Sequence, residues 1–368
     1  NNSGFRLLSV FMEVDFIIVG QGLTGTLLAY ELFRQNRNFV IFNDPGQIKS
    51  SDIAAGLINP VVFRRMTKSW LVDDAFPQME TTYRELEELL HEKLYFPGRM
   101  LKILSEGGID FWKEKAFANQ LEAYLELEPN LNFRNPGLSS SFSFGCVNKS
   151  GRLDIQKLIL AFSGFLTQQN SIRNEKIDYQ KLVFKPDSVT YDNISASKII
   201  FCEGSAASQN PFFINLKFKH SKGEVLELKI PELDLNEIVS GEVFMMPIGN
   251  HRYKVGATYS WDELNCETTE SARIELLGKL QNISSTQSEV INQKAGIRPT
   301  MHDRKPVIGL LPDNTQIGIF NGLGSKGVLL GPYFAKQFAS FLSGNSNYLH
   351  PEANVQRYYK HIKLSGDL

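Results

Sequence analysis

A chain of 368 residues with 42% hydrophobic and 21% charged residues is long enough for two domains, and its ordinary globular composition excludes a disordered or fibrous protein. A formal net charge of −1, from 39 Lys and Arg against 40 Asp and Glu, argues against a protein built around a nucleic-acid backbone. The three cysteines, Cys146, Cys202 and Cys266, are far apart and lack C-x-x-C spacing, so neither a disulfide framework nor a metal site is expected, and a cytoplasmic location fits.

No apolar run is long enough to span a bilayer, and Leu7 to Met12 is too short for a signal peptide, so residues 1–11 read as an upstream extension before Met12. Phe16-Ile17-Ile18-Val19 then reads as a strand covered on both faces. Gly20, Gly22 and Gly25 follow with G-x-G-x-x-G spacing and open an apolar helix. In such a turn Gly20 permits the tight bend, Gly22 lets the backbone around Leu23 and Thr24 approach a pyrophosphate, and Gly25 brings the helix close to the strand. A dinucleotide is the expected ligand. Phe39–Phe42 completes a βαβ unit ending at Asn43-Asp44-Pro45-Gly46. A carboxylate there ordinarily accepts from both ribose hydroxyls; Asn43 holds the position and can accept one such bond, while Asp44 is either its substitute or a turn residue.

Further along, Ser51, Ala54, Ala55, Gly56 and Leu57 form a stretch of small residues that lets backbone lie flat against a planar ligand. The basic segment Arg64–Lys68 is a solvated face or an anion contact. Phe76, Met79, Tyr83, Leu86 and Leu90 mark an amphipathic helix, and residues 94–145 read as short strands and helices in an inserted region, with a Ser-rich turn at Asn135–Ser141. Asp154 is placed to cap a helix reaching about Phe165. A strand at Lys198–Phe201 delivers a second small-residue turn, Cys202-Glu203-Gly204. Residues 213–261 alternate in the manner of antiparallel strands, with Met245 and Met246 as packing. Near the end, strands at Pro306–Gly309 and Ile317–Phe320 precede a third loop, Gly322-Leu323-Gly324-Ser325-Lys326-Gly327, and a helix to about Leu342. Three such loops predict one extended cofactor contacted along its length.

The fold class is therefore α/β, a Rossmann-like cofactor domain with a second, mainly antiparallel-sheet substrate domain. The domains are discontinuous: residues 12–93, 146–212 and 296–368 for the cofactor, 94–145 and 213–295 for the substrate.

The ordered set Gly20–Gly25, Ala54–Leu57, Cys202–Ser205, Gly296-Ile297-Arg298-Pro299 and Gly322–Gly327 resembles the D-amino acid oxidase superfamily of FAD-dependent oxidoreductases, with glycine and sarcosine oxidases. The resemblance implies FAD, with its pyrophosphate on the first turn, its flavin beside Ala54–Leu57 and the pyrimidine edge facing the last loop. It also implies that Arg298 grips a substrate carboxylate, for which a guanidinium fork is well suited. Two positions depart from the relatives: Phe244 stands where they carry a tyrosine, with Tyr259 a candidate replacement, and Ser325 stands where glycine oxidase has an arginine.

The expected reaction is oxidation of the C–N bond of a small amino acid or N-alkyl amine by hydride transfer to flavin N5, with oxygen or another electron acceptor restoring the cofactor. Arg298, Tyr259 and Phe244 are the expected reacting-site residues; His302 and Asp303 are weaker ones, since both more often serve the turn before Pro306, and Lys326 either helps charge balance during reoxidation or, the preferred reading, is a solvated lysine. Alternatives are an enzyme acting on a carboxymethylaminomethyl group of tRNA, with Arg64–Lys68 on phosphate, and a flavin-binding protein without turnover.

Overall fold

The computed structural model describes residues 11–130, 133–138 and 143–359. Residues 1–10 of the expected extension and Ser139–Ser141 of the expected turn lie outside them; the rest of that turn closes on Asn135, whose side chain accepts from Gly137 N–H.

The chain begins β1 (Met12–Val19), α1 (Leu23–Arg34), β2 (Phe39–Phe42), α2 (Ser50–Ile53), β3 (Leu57–Ile58), β4 (Val61–Val62), β5 (Thr67–Lys68) and α3 (Val72–Leu90). It continues through β6 (Tyr95–Leu104), α4 (Glu106–Ala118), β7 (Ser143–Leu153), α5 (Ile155–Gln168), β8 (Ile172–Arg173), β9 (Val183–Phe184), β10 (Val189–Tyr191) and β11 (Ile194–Phe201). The last elements are β12 (Ser221–Lys229), β13 (Ile238–Ser240), β14 (Phe244–Gly249), β15 (Arg252–Gly256), α6 (Glu270–Gln281), β16 (Glu289–Arg298), β17 (Val307–Leu310), β18 (Ile317–Asn321) and α7 (Gly327–Leu342).

Two eight-stranded sheets result. The first runs β17-β18-β11-β1-β2-β8, with β9 and β10 attached through β11. Its centre is parallel because β1 pairs with both β2 and β11 in the same direction, as expected of strands joined by crossover helices. Ile17 and Ile18 are fully buried on opposite faces, which explains the continuous apolar run; each contributes about 1.5–3 kcal/mol by leaving water. Helices α1, α3, α5 and α7 cover one face, and a second cluster around Tyr191, Phe201 and Phe213 covers the other.

The second sheet runs β16-β12-β15-β14-β13-β6-β7-β3 and is antiparallel apart from the β13–β6 pair. β7 and β3 belong to this sheet, so the chain enters it within a few residues of the small-residue stretch at Ala54–Leu57. Asp154 caps α5 as expected, accepting from Lys157 N–H at 3.2 Å. Helix α3 starts four residues before the apolar stripe, at Val72. The 94–145 stretch is more regular than short elements would be. β6 is ten residues long and pairs with β7 and β13.

Candidate functional site

A cavity of 460 Å³ lies at the carboxyl ends of β1, β2 and β11, where open α/β sheets bind ligands, and is closed on its other side by the second sheet. Of the sequence-predicted cofactor residues it is lined by Gly20, Gly22, Leu23, Thr24, Asn43, Asp44, Ser51, Ala54, Ala55, Gly56, Leu57, Cys202, Glu203, Gly204, Gly324, Ser325, Lys326 and Gly327. Gly25 and Gly322 stand behind that lining. A Cβ on Gly25 would come 1.9 Å from the Gly20 carbonyl oxygen, so its role is to seat α1 against the turn. One on Gly322, at φ +77°, would meet Met301.

The turn after β1 is held from several sides. Gln21 donates to the Ile159 carbonyl at 3.0 Å, and Leu23 N–H donates to Ser51 Oγ at 3.0 Å. A Cβ on Gly22 would meet only Ser51 Oγ, at 3.3 Å, on the cavity side. Asn43 gives its amide N–H to Asn174 at 3.0 Å, leaving its buried Oδ1 without a partner. Asp44 accepts from Gly46 N–H at 2.8 Å, the turn role, while also lining the cavity. Glu203 accepts from Tyr179 at 2.6 Å and Asn210 at 2.8 Å, and burial pushes its carboxyl above the usual range.

Arg298, Tyr259 and Phe244 line the same cavity, brought there by β16, the segment after β15, and β14. Arg298 donates to the carbonyls of Lys222 at 3.0 Å and Thr258 at 3.1 Å. Two of its five N–H groups are thereby used and three remain. Its guanidinium lies 3.9 Å from the centre of the Tyr259 ring, which in turn stacks near-parallel on Trp261. Burial pulls the guanidinium below its ordinary value, and among the described residues no carboxylate offsets this. Gly223 provides the room: a Cβ there would fall 2.0 Å from the Arg298 Nη2. The segment that carries Tyr259 is tied to β12 by Ser260 N–H to Lys222 O and by Glu224 N–H to Thr258 Oγ1. Glu224, buried, also accepts from Thr269 and Gln293.

One expectation changes. Lys326 is not solvated: its Nζ donates to the Asn59 carbonyl at 2.8 Å and Ser69 Oγ at 3.0 Å, and burial lowers its pKa to about 8. His302 and Asp303, the weaker candidates, lie outside the cavity lining, and Asp303 takes the turn role, accepting from Lys305 N–H at 3.0 Å. Asp303 pairs with Arg357 at 3.0 Å, and His302 packs on Tyr358. Sequence reasoning missed Gly223, Phe63 and Asn59, which also line the cavity. The alternation of β12 around Gly223 was a usable signal; the other two sit in irregular segments. Among the described residues no cluster of metal-ligating side chains occurs, and no helix is long and apolar enough to cross a membrane.

Comparison with known proteins agrees with this fold. Residues 15–341 match the family model described as FAD dependent oxidoreductase. Glycine oxidase from Geobacillus kaustophilus superposes with a TM-score of 0.78 at 18% identity, covering 93% of this chain and 98% of that one. An uncharacterized oxidoreductase of Bacillus subtilis, YurR, is 20% identical over 91% of this chain and 96% of its own length. The tRNA 5-methylaminomethyl-2-thiouridine biosynthesis bifunctional protein MnmC of Leptospira interrogans is 23% identical over 92% of this chain, which spans only 60% of that protein.

Proposed function

The chain belongs to the FAD dependent oxidoreductase family, and from that premise we propose that it oxidises the C–N bond of a small amine bearing a carboxylate, an amino acid or N-alkyl amino acid. The site residues fit the cofactor. Asn43 Oδ1 is a buried acceptor still needing a donor, which a ribose hydroxyl supplies, and the open side of Gly22 admits a pyrophosphate to the start of α1. Ala54–Leu57 and Gly324–Gly327 would border the flavin. When bound, FAD supplies a two-electron acceptor for the C–H bond beside the amine nitrogen.

The observation that carries the substrate class is the unpaired guanidinium. Arg298 is half-buried, fixed by two carbonyls and a ring, and faces the cavity with no carboxylate from the described residues beside it. A substrate carboxylate completes it, at a net gain of about 1.5–3 kcal/mol. Phe244, partly buried, and the ring of Tyr259, which stays largely exposed at the cavity mouth, border the cavity and favour the neutral amine, which is the form able to release hydride. The carbon gives up a hydride equivalent and the nitrogen a proton. The resulting C=N bond is then split by water into a carbonyl compound and an amine. Product analysis after one anaerobic turnover tests this: one carbonyl product per flavin reduced is expected, and reduction without a carbonyl product would contradict it.

A second reading rests on the similarity to the bifunctional tRNA protein, with Arg64 and Arg65, both exposed in the turn between β4 and β5, as phosphate contacts. It requires tRNA binding that weakens steeply with salt; absence of binding at low salt removes it.

A further inference from the structure

A second cavity of 380 Å³ adjoins the first and shares Phe63, Gly241 and Glu242 with it. Its remaining wall is mostly apolar, including Met66, Leu104, Phe111 and Trp112, yet one side chain in it is a lysine. Lys102 stands on β6 two residues from Met100, which lines the main cavity, so the alternation of the strand aims both toward the same side. Its Nζ has only long contacts to the carbonyls of Ser240 and Gly241, at 3.3 and 3.4 Å, and lies 5.7 Å from the Phe63 ring centre. Burial lowers its pKa, and among the described residues no neighbouring carboxylate raises it. Glu242, at the rim the two cavities share, is exposed and turned to Asn282 at 3.4 Å. A desolvated ammonium with neutral partners is costly to the fold unless an anion completes it.

The position of this cation relative to Arg298 follows from strand pairing. The Lys102 ammonium lies at β13, and β13, β14, β15 and β12 are consecutive in the sheet, joined through Ser240↔Phe244, Phe244↔Gly256 and Gly256↔Val225. Three steps of about 4.8 Å, and a further two residues along β12 to Gly223, place the two cationic heads roughly 15 Å apart along the sheet. We propose that Lys102 and the second cavity receive an acidic group, a carboxylate or phosphate, at the far end of a substrate whose own carboxylate is held by Arg298. The substrate is then an amino acid with a long, acid-terminated side chain or N-substituent, rather than one as small as glycine. This rests on the Arg298 reading above and narrows it.

Calorimetric titration of the holoenzyme with non-oxidisable probes tests the site: straight-chain monocarboxylates, dicarboxylates of graded length, and monocarboxylates ending in a phosphate ester. In the wild type a doubly acidic probe of matching length should bind at least tenfold more tightly than its monocarboxylate. Lys102→Met should abolish that advantage while leaving monocarboxylate affinity unchanged, and Lys102→Arg should retain it. Whichever tail gives the gain names the acid. No gain with either tail, or a loss in Lys102→Met that is equal for singly and doubly acidic probes, overturns the proposal. If monocarboxylates themselves fail to bind the wild type, it is the Arg298 reading that fails. The thermal midpoint of Lys102→Met, expected unchanged or higher because a desolvated charge is removed, confirms that the variant is folded.

Discussion

Replacing Arg298 with methionine keeps most of the side-chain volume and removes the charge and every donor. Two effects follow from the structure and are separable. The Lys222 and Thr258 carbonyls lose their guanidinium donors, although Lys222 O keeps the Ser260 N–H, so the fold should lose about 1–2 kcal/mol. The substrate carboxylate loses a charge-assisted pair of about 1.5–3 kcal/mol, equivalent to roughly 10- to 150-fold in kcat/KM. Arg298→Lys should fall between, since an ammonium can reach one acceptor but cannot present the fork. FAD content should be unchanged in both, because Arg298 belongs to the second sheet and the glycine turn to the first. The assay is steady-state kcat/KM for a carboxylate-bearing amine and for the same amine lacking the carboxylate. The loss should be confined to the acid. Equal losses for both compounds, or a change below about threefold for the acid, would refute the clamp.

Gly223→Ala should displace the guanidinium, whose Nη2 lies 2.0 Å from the new Cβ, and should raise KM as Arg298→Met does while FAD stays bound; unaltered kinetics would show that the arginine has another seat. Gly25→Ala puts a methyl 1.9 Å from the Gly20 oxygen, so the protein should purify without FAD or not fold, and a fully loaded, stable variant would contradict the seating of α1. Lys326 predicts a pH dependence. The folded chain releases this proton at about 8 and the unfolded chain at the ordinary 10.5, so the unfolded state holds more protons across that window and stability should rise with pH through it. The gain, at most on the order of 3 kcal/mol, should be missing from the denaturation midpoints of Lys326→Met, and parallel profiles for the two proteins would exclude a titrating, buried lysine.

Much of the fold was legible because its signals are local. The run Phe16–Val19 is apolar throughout because both faces of the first sheet are covered, and β2 falls at Phe39–Phe42 as read. The glycine turns were legible for the same reason, since a backbone at φ +99° for Gly20 or +77° for Gly322 leaves its mark on composition. What escaped depends on pairing between distant strands. Lys326 looks like a surface lysine in sequence, and only the fold brings Asn59 and Ser69 within reach of its Nζ. Gly223 looks like an interruption of β12 until Arg298, 75 residues on, is seen to lie across it. Lys102, the one charge in the otherwise apolar run Met100–Leu104 of β6, carried a readable sign; its meaning needed the cavity.

The central claim, that this flavoenzyme draws electrons from an amine selected by its carboxylate, is tested most directly by anaerobic mixing of the yellow holoenzyme with matched pairs of amines. Each pair consists of an amino acid or N-alkyl amino acid and the corresponding amine without the carboxyl group, and the flavin absorbance is followed in time. Bleaching by the acid, at least tenfold faster than by its partner, is the predicted result. Equal bleaching by both members, or flavin that stays oxidised across amino acids and N-alkyl amino acids with and without acid-terminated chains, would contradict it.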